Sequence, residues 1–248
     1  MINAIILSGD KNQSLSNGYT KALVKIKDRI MIDYVVDALQ NSSEIGQIAV
    51  VGSVEQLRPY LSQKVSCIAE GADDLIDNTL IGIGLFKQDP RVLVLTCDIP
   101  YLTPEAVDHF VRHSEKTGAD MCYPIVRKED NQAKFARANR TYAKLRDGTF
   151  TGGNMFYVNP QVVERSADLA RRLVGYRKKP WKMCRVLGWN FVFQLLAGSL
   201  TISGVESRMS NLLDIKLAAI ISPYPEVGND VDKESDLTLA REYLADIG

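Results

Sequence analysis

Five short, solid apolar runs alternate with stretches of helical periodicity, and that alternation leaves few folds open. The runs are Ala4–Leu7, Gln47–Val51, Val65–Ile68, Val92–Thr96 and Met121–Ile125. Each has the length and continuity of a strand covered on both faces. Helical spacing falls between them, at Ile30–Gln40, Val54–Leu61, Asp74–Phe86 and Pro104–Lys116. The last of these has a clear start: Thr103 can cap it, Pro104 takes the first helical position, and Glu105 lies where the helix dipole favours an acid. Repeated strand–helix–strand units with short connections predict an α/β fold. It should have three layers, with helices on both faces of a mostly parallel, Rossmann-like sheet. Ligands of such sheets bind beyond the carboxyl ends of the strands. The residues just after each strand are therefore the ones to examine.

The pattern changes after Gln161. From about 161 to 213 the chain reads as helical and partly basic, a helical insertion in one domain spanning 1–248. Arg171, Arg172, Arg177, Lys178, Lys179, Lys182 and Arg185 occur there with no acid between them. A strand at Ala218–Ser222 follows, then Pro223 and Pro225, and a last helix near Glu234–Ala245.

Composition excludes several classes. Thirty basic residues balance thirty acidic ones, so no global field marks a nucleic-acid binder. The opening lacks the basic region of a secretory leader. The longest later apolar stretch, Val186 to Leu200, is interrupted by Asn190 and Gln194 and is short of the roughly 20 residues that span a bilayer. A cytoplasmic protein is expected, with Cys67, Cys97, Cys122 and Cys184 as buried thiols.

Four stations after strands can carry chemistry. At the first, Leu7-Ser8-Gly9-Asp10 opens a polar loop that reaches Lys21-Ala22-Leu23. Gly9 lets the backbone approach a ligand, amide N–H groups can cradle phosphates, and Lys21 supplies a compact positive charge. The same residues also suit an ordinary surface connection. At the second, the run Val92–Thr96 ends in Cys97-Asp98-Ile99-Pro100, which places the Asp98 carboxylate at the crevice. Mg²⁺ suits such a carboxylate, because it takes one or two together with phosphate oxygens and waters. Bracing the turn is the alternative. At the third, Gly228-Asn229-Asp230-Val231-Asp232 precedes the last helix. In an extended segment Asp230 and Asp232 point the same way, so they can complete a metal site with Asp98 or else cap the helix. At the fourth, Thr151-Gly152-Gly153-Asn154 runs into Met155–Val158. It reads as a close approach to a substrate or as a plain turn.

Two further features are weaker. His109 and His113 have zinc-compatible spacing, but without a third ligand they read as solvated. The segment Arg127–Arg146 carries seven basic residues against Glu129 and Asp130, and reads either as an acceptor-phosphate site or as a mobile loop.

Together the four stations resemble the nucleotidyltransferases of the molybdenum-cofactor guanylyltransferase type, which share the fold of sugar-nucleotide pyrophosphorylases. That family's Leu-Ala-Gly-Gly opening and downstream Lys-x-Leu are matched by Leu7-Ser8-Gly9-Asp10 and Lys21-Ala22-Leu23. Its metal motif, Cys-Asp-x-Pro-x-Leu-x-Pro, stands as Cys97-Asp98-Ile99-Pro100-Tyr101-Leu102-Thr103-Pro104. Its closing motif appears as Asn229-Asp230-Val231-Asp232-Lys233-Glu234-Ser235-Asp236-Leu237. The resemblance covers roughly 1–160 and 218–245. It departs from the family at Asp10, which stands for a second glycine, at the Asn/Ser-rich loop Lys11–Thr20, and at Asp28-Arg29-Ile30, which replaces a Gly-x-Pro turn.

The resemblance implies a Mg²⁺- or Mn²⁺-dependent transfer of a nucleoside monophosphate from an NTP to a small phosphorylated or hydroxyl acceptor. Lys21 and Asp98 would be catalytic. Leu7, Ser8, Gly9, Asp10, Lys21, Gly71, Asn78 and Thr79 would bind the nucleotide. Asp98, Asp230 and Asp232 would hold the metal, and Gly152, Gly153 and Asn154 would face the acceptor. Two other readings stay open: a glycosyltransferase that uses a nucleotide-sugar, and a nucleotide-binding protein without catalysis. Within the insertion, Trp181, Trp189, Phe191 and Phe193 beside the basic residues suit peripheral contact with an anionic membrane through 177–200, a lipid-like acceptor, or packing on the core or in a homo-oligomer.

Overall fold

The computed structural model describes residues 1–8, 20–176 and 180–245. Gly9, Asp10 and the rest of the loop to 19 lie outside the described residues, as do 177–179 and the side chains of Trp181 and Cys184.

In chain order the elements are β1 (Ile2–Leu7), a 3₁₀ turn (Lys21–Leu23), β2 (Lys25–Ile26), β3 (Arg29–Ile30), α1 (Met31–Gln40), β4 (Ile45–Gly52), α2 (Val54–Leu61), β5 (Cys67–Glu70), α3 (Leu75–Leu85) and β6 (Val92–Thr96). Then come α4 (Pro104–Thr117), β7 (Met121–Arg127), α5 (Lys128–Lys134), β8 (Ala143–Leu145), β9 (Gly148–Gly152) and β10 (Met155–Val158). The helices α6 (Pro160–Tyr176), α7 (Pro180–Leu187), α8 (Trp189–Leu196) and α9 (Ile202–Leu213) follow. After them come β11 (Leu217–Ser222), a second 3₁₀ turn (Pro225–Gly228) and α10 (Glu234–Tyr243).

The described residues build a nine-stranded mixed sheet in the order β5-β4-β1-β6-β10-β7-β9-β8, with β11 beside β7. The pairs β5–β4, β4–β1, β1–β6 and β7–β11 are parallel. β10 is antiparallel to both β6 and β7, so β7 and β11 run the same way as β6. The strands that share this direction end along one edge; Ser8, Gly71 and Asp98 follow the ends of β1, β5 and β6, whereas Gly152–Asn154 join the antiparallel strands β9 and β10.

Strand alternation sorts the apolar residues between two cores. Ala4 and Ile6, Ile48 and Val50, and Leu93 and Leu95 face one side, against Ile32, Val35, Val36 and Leu39 of α1 and Val107 and Phe110 of α4. Ile5 and Leu7, Ala49 and Val51, and Val92 and Val94 face the other side, against Ile83 of α3 and Phe86 just beyond it. This is the expected three-layer α/β arrangement. The start of α4 is as anticipated: Thr103 Oγ1 accepts from Ala106 N at 3.3 Å, Pro104 opens the helix, and Gly118 closes it at φ 58°.

Two local expectations need correction. The strand expected at Val65–Ile68 lies at Cys67–Glu70, because the sheet register sets Cys67 opposite Ala49. It is the edge strand, so Cys67 is exposed, while Cys97 and Cys122 are buried as expected. The helical stretch after 160 is present. There α6 packs on α3 and α7, α9 packs on α6 and β11, and α8 packs on α7 and β8. Among the described residues, no helix is long and apolar enough to cross a membrane.

Candidate active site

The polar loop after β1 is anchored where its ends are described. Ser8 N donates to Val51 O at 2.8 Å, and Thr20 Oγ1 donates to Ser8 O at 2.8 Å with Ser8 Oγ 3.1 Å away. Thr20 N in turn donates to Gln56 Oε1 at 2.8 Å. The next residue, Lys21, begins the first 3₁₀ turn and is 1% exposed. Its ammonium donates to Asp98 Oδ2 at 2.6 Å and to Asp232 Oδ1 at 2.5 Å. Burial alone would pull this lysine's pKa down, but the two carboxylates outweigh that and hold it above its ordinary value.

Asp98 sits two residues past the end of β6. Cys97 N donates to Leu7 O at 3.1 Å, and Val231 N donates to Asp98 O at 2.9 Å. The backbone of the closing motif is thereby stitched to the end of β6. Thr96 Oγ1 donates to Asp98 Oδ1 at 2.5 Å, which fixes the carboxylate's rotation. Asp232 does not cap the last helix. Asp236 Oδ2 accepts the backbone N–H groups of Asp232 (3.1 Å) and Lys233 (3.0 Å), leaving the Asp232 carboxylate to face Lys21. Asp230 accepts from Arg140 Nη1, an ion pair in which both side chains are largely buried.

Oxygens of Asp98, Asp230 and Asp232 all lie within 4.8 Å of one another. A set of three carboxylates without sulfur or imidazole is a hard donor set that suits Mg²⁺ or Mn²⁺ rather than zinc. Among the described residues, Lys21 and Arg140 are the cations whose ion pairs set them against these carboxylates. The residues present fit such an ion.

Beside this cluster opens a polar cleft of about 430 Å³. Asp230, Asp232 and Lys233 form one side of it, and Thr151, Gly152, Gly153 and Asn154 another, with Tyr101, Tyr123 and Arg140 also lining it. The two glycines are required by packing. A Cβ on Gly152 would stand 2.1 Å from the Tyr123 hydroxyl oxygen, and one on Gly153 would stand 2.7 Å from Pro124 Cγ. Tyr123 donates to Gly153 O at 2.7 Å, and burial pushes its pKa up, which keeps the donor protonated. Asn154 is held by its backbone: its N–H donates to Val227 O at 2.9 Å, and its O accepts from Thr96 N at 3.2 Å. The turn at 152–154 is thus tied to both the β6 end and the closing motif.

Gly71, Asn78 and Thr79 lie at the other end of the crevice, past β5. The Asn78 side chain is buried and bonds Ala72 twice, accepting from its N at 2.6 Å and donating to its O at 3.0 Å. Gly71 packs so closely that an added Cβ would stand 2.9 Å from Asn78 Oδ1 and 3.1 Å from Gly52 Cα. Thr79 Oγ1 donates to Leu75 O at 2.8 Å. Three strand spacings separate β5 from β6, roughly 14 Å.

Sequence reasoning did not single out Arg140 or Tyr123 as cleft residues, and it named Asn229 only within the third station. For Arg140 the one signal was the basic segment Arg127–Arg146, which spans the end of β7, α5, an irregular connection at 135–142 and β8. Asn229 is buried, and its Nδ2 donates to Asn131 Oδ1 and Pro225 O, both at 2.7 Å. That fixes the orientation of its amide. The two histidines stack at 4.0 Å on α4, with His109 partly buried against Tyr224 and only His113 solvated.

A profile described as the MobA-like NTP transferase domain matches residues 4–204. The chain belongs to the MobA-like NTP transferase family. It is 37% identical to a hypothetical transferase from Thermus thermophilus, with a TM-score of 0.85 over 95% of this chain and 99% of that one. It is 23% identical over 145 residues to the 2-C-methyl-D-erythritol 4-phosphate cytidylyltransferase of Clostridium botulinum, a match covering 54% of this chain and 63% of the relative's length. The structure of CMP:2-keto-3-deoxy-manno-octonic acid synthetase in complex with CTP shares the fold. Its TM-score is 0.65 at 11% identity, over the full length of both chains.

Proposed function

We propose that this chain is a nucleotidyltransferase that moves a nucleoside monophosphate from an NTP to a phosphorylated or hydroxyl acceptor, working in the cytoplasm as one domain with a helical insertion at about 161–213. An acceptor oxygen bonds to the α-phosphorus, the bond from that phosphorus to the bridging oxygen breaks, and pyrophosphate leaves. The observation that carries this reading is the convergence of Lys21, Asp98, Asp230 and Asp232 at the strand ends beside a polar cleft.

In this reading Asp98, Asp230 and Asp232 hold Mg²⁺ or Mn²⁺, which supplies Lewis-acid charge stabilisation at the phosphates. Lys21 turns its ammonium from the carboxylates to the developing phosphate charge. Leu7, Ser8, Gly9 and Asp10 seat the phosphates. Gly71, Asn78 and Thr79 shape the nucleoside end, and Gly152, Gly153 and Asn154 set the acceptor wall. The bound CTP of the structurally similar synthetase supports a nucleotide in a crevice of this kind. The work is largely positioning and electrostatic stabilisation.

The test is pyrophosphate release from the four NTPs with Mg²⁺, read alongside thermal shift, in wild type and in Asp98→Asn. We expect one NTP to raise the midpoint and Asp98→Asn to reduce turnover by about 10²–10³-fold. Transfer from a nucleotide-sugar without pyrophosphate would make the protein a glycosyltransferase, and a thermal shift without turnover would make it a binding protein.

A further inference from the structure

The helix α8 is apolar at six of its eight positions, Trp189, Phe191, Val192, Phe193, Leu195 and Leu196, yet none of its residues is buried. Trp189, Phe193 and Leu196 follow i, i+4, i+7 spacing and so share one stripe. They are 62%, 73% and 82% exposed. A stripe of that exposure on a folded chain marks an interaction surface. The neighbouring helix α7, packed against α8, presents Lys182 and Arg185 exposed. Lys144, also exposed, lies against Gly198 just past the end of α8. From Arg171 to Leu200 the sequence has seven basic residues and no Asp or Glu.

We propose that this stripe docks on an anionic lipid surface. Aromatic and aliphatic side chains flanked by lysine and arginine suit the boundary between headgroups and acyl chains, where the rings insert and the cations meet lipid phosphates. A second copy of the chain fits poorly. It would bring the same Lys144, Lys182 and Arg185 to the contact, so these cations would meet like charge. The surface is continuous with the cleft's acceptor side: α8 packs on β8, β8 pairs with β9, and β9 ends at Gly152 in the cleft wall. Docking would hold that wall near the membrane.

The proposal is independent of the transfer chemistry and is tested without nucleotide. The full-length chain is co-sedimented with phosphatidylcholine vesicles, with and without phosphatidylglycerol, at low and high salt. We expect pelleting only with the anionic vesicles, weakened by salt. Lys182→Gln with Arg185→Gln should lower the partition coefficient about 30-fold, at roughly 1 kcal/mol per cation. Phe193→Glu with Leu196→Glu should abolish pelleting while the circular dichroism spectrum and thermal midpoint stay at wild-type values. Absence of pelleting with anionic vesicles overturns the proposal, as does pelleting that neither double variant changes. A dimer that dissociates in Phe193→Glu with Leu196→Glu, without vesicle binding, would make the stripe a self-association face, and RNA binding without vesicle binding would make it a nucleic-acid site. Either result also overturns the proposal.

Discussion

At the β6 end of the crevice, Lys21, Asp98 and Asp232 direct their charged atoms at one another. At the β5 end, Asn78 directs both of its polar atoms at the backbone of its own loop. The first arrangement can be exchanged. An ion or a phosphate entering the cluster replaces one charge partner with another, and Lys21 can follow. The second cannot be exchanged without opening the loop, so it acts through shape. Under the proposed function this division would assign the chemical step to the β6 end and nucleoside fit to the β5 end. Substitutions at the first should therefore change turnover and metal response, and substitutions at the second should change stability and KM.

Lys21→Met should have the largest effect. The substitution leaves Asp98 and Asp232 without their shared cation. Asp232 is 54% exposed and Asp98 15%, so solvent screens part of the loss. The cost in metal-free buffer should be about 2 kcal/mol, below that of breaking a fully buried pair. Mg²⁺ should then raise the thermal midpoint more in the variant than in wild type, since the ion no longer competes with the ammonium. Turnover should fall on the order of 10²–10³-fold. An equal Mg²⁺ response in the two proteins would show that the ion does not bind at this cluster, and the β6 end would lose its assigned role.

The parts of the molecule that sequence revealed are those governed by local pattern. The strand Val92–Thr96 and the helix Val54–Leu61 have the bounds expected from periodicity, because each is a local run with its own start and stop signals. The edge strand β5 was displaced by two residues, since pairing with β4 rather than its own hydrophobicity sets its register. Asp98 was legible because a buried run ends on it. Its pairing with Lys21, 77 residues away, and the pairing of Lys21 with Asp232, 211 away, came only from the fold. Arg140 lies in an irregular connection with no periodicity, and its partner Asp230 is 90 residues distant. The glycines at 152 and 153 were seen, but Tyr123 and Pro124, which require them to be glycine, lie on a neighbouring strand.

Asn78→Ala probes the other end of the crevice. It removes two side-chain bonds to Ala72 and leaves that residue's N–H and C=O without those partners, a loss of about 2 kcal/mol in stability. The loop after β5 should loosen, raising KM for the NTP roughly tenfold by loss of preorganisation while kcat stays within about twofold of wild type. Denaturant unfolding and steady-state pyrophosphate release measure the two effects. If kcat fell more than KM rose, the β5 end would be part of the chemical step, and the division between the two ends would fail.

Thr79→Val should have the smallest effect and most sharply separates a local role from a nucleotide contact at the β5 end. The Thr79 hydroxyl already donates to Leu75 O within α3, so towards a ligand it can only accept. Valine keeps the shape and loses that capacity. Because the residue is near the surface, stability should change by no more than about 0.5 kcal/mol. A single neutral hydrogen bond to the nucleotide is worth about 1 kcal/mol, so KM should rise about fivefold with kcat unchanged. An unchanged KM would remove Thr79 from the nucleotide site and leave the β5 end recognising the nucleoside through the Asn78-braced loop alone. That result would extend the contrast with the β6 end, where Lys21, Asp98 and Asp232 are proposed to act through charge.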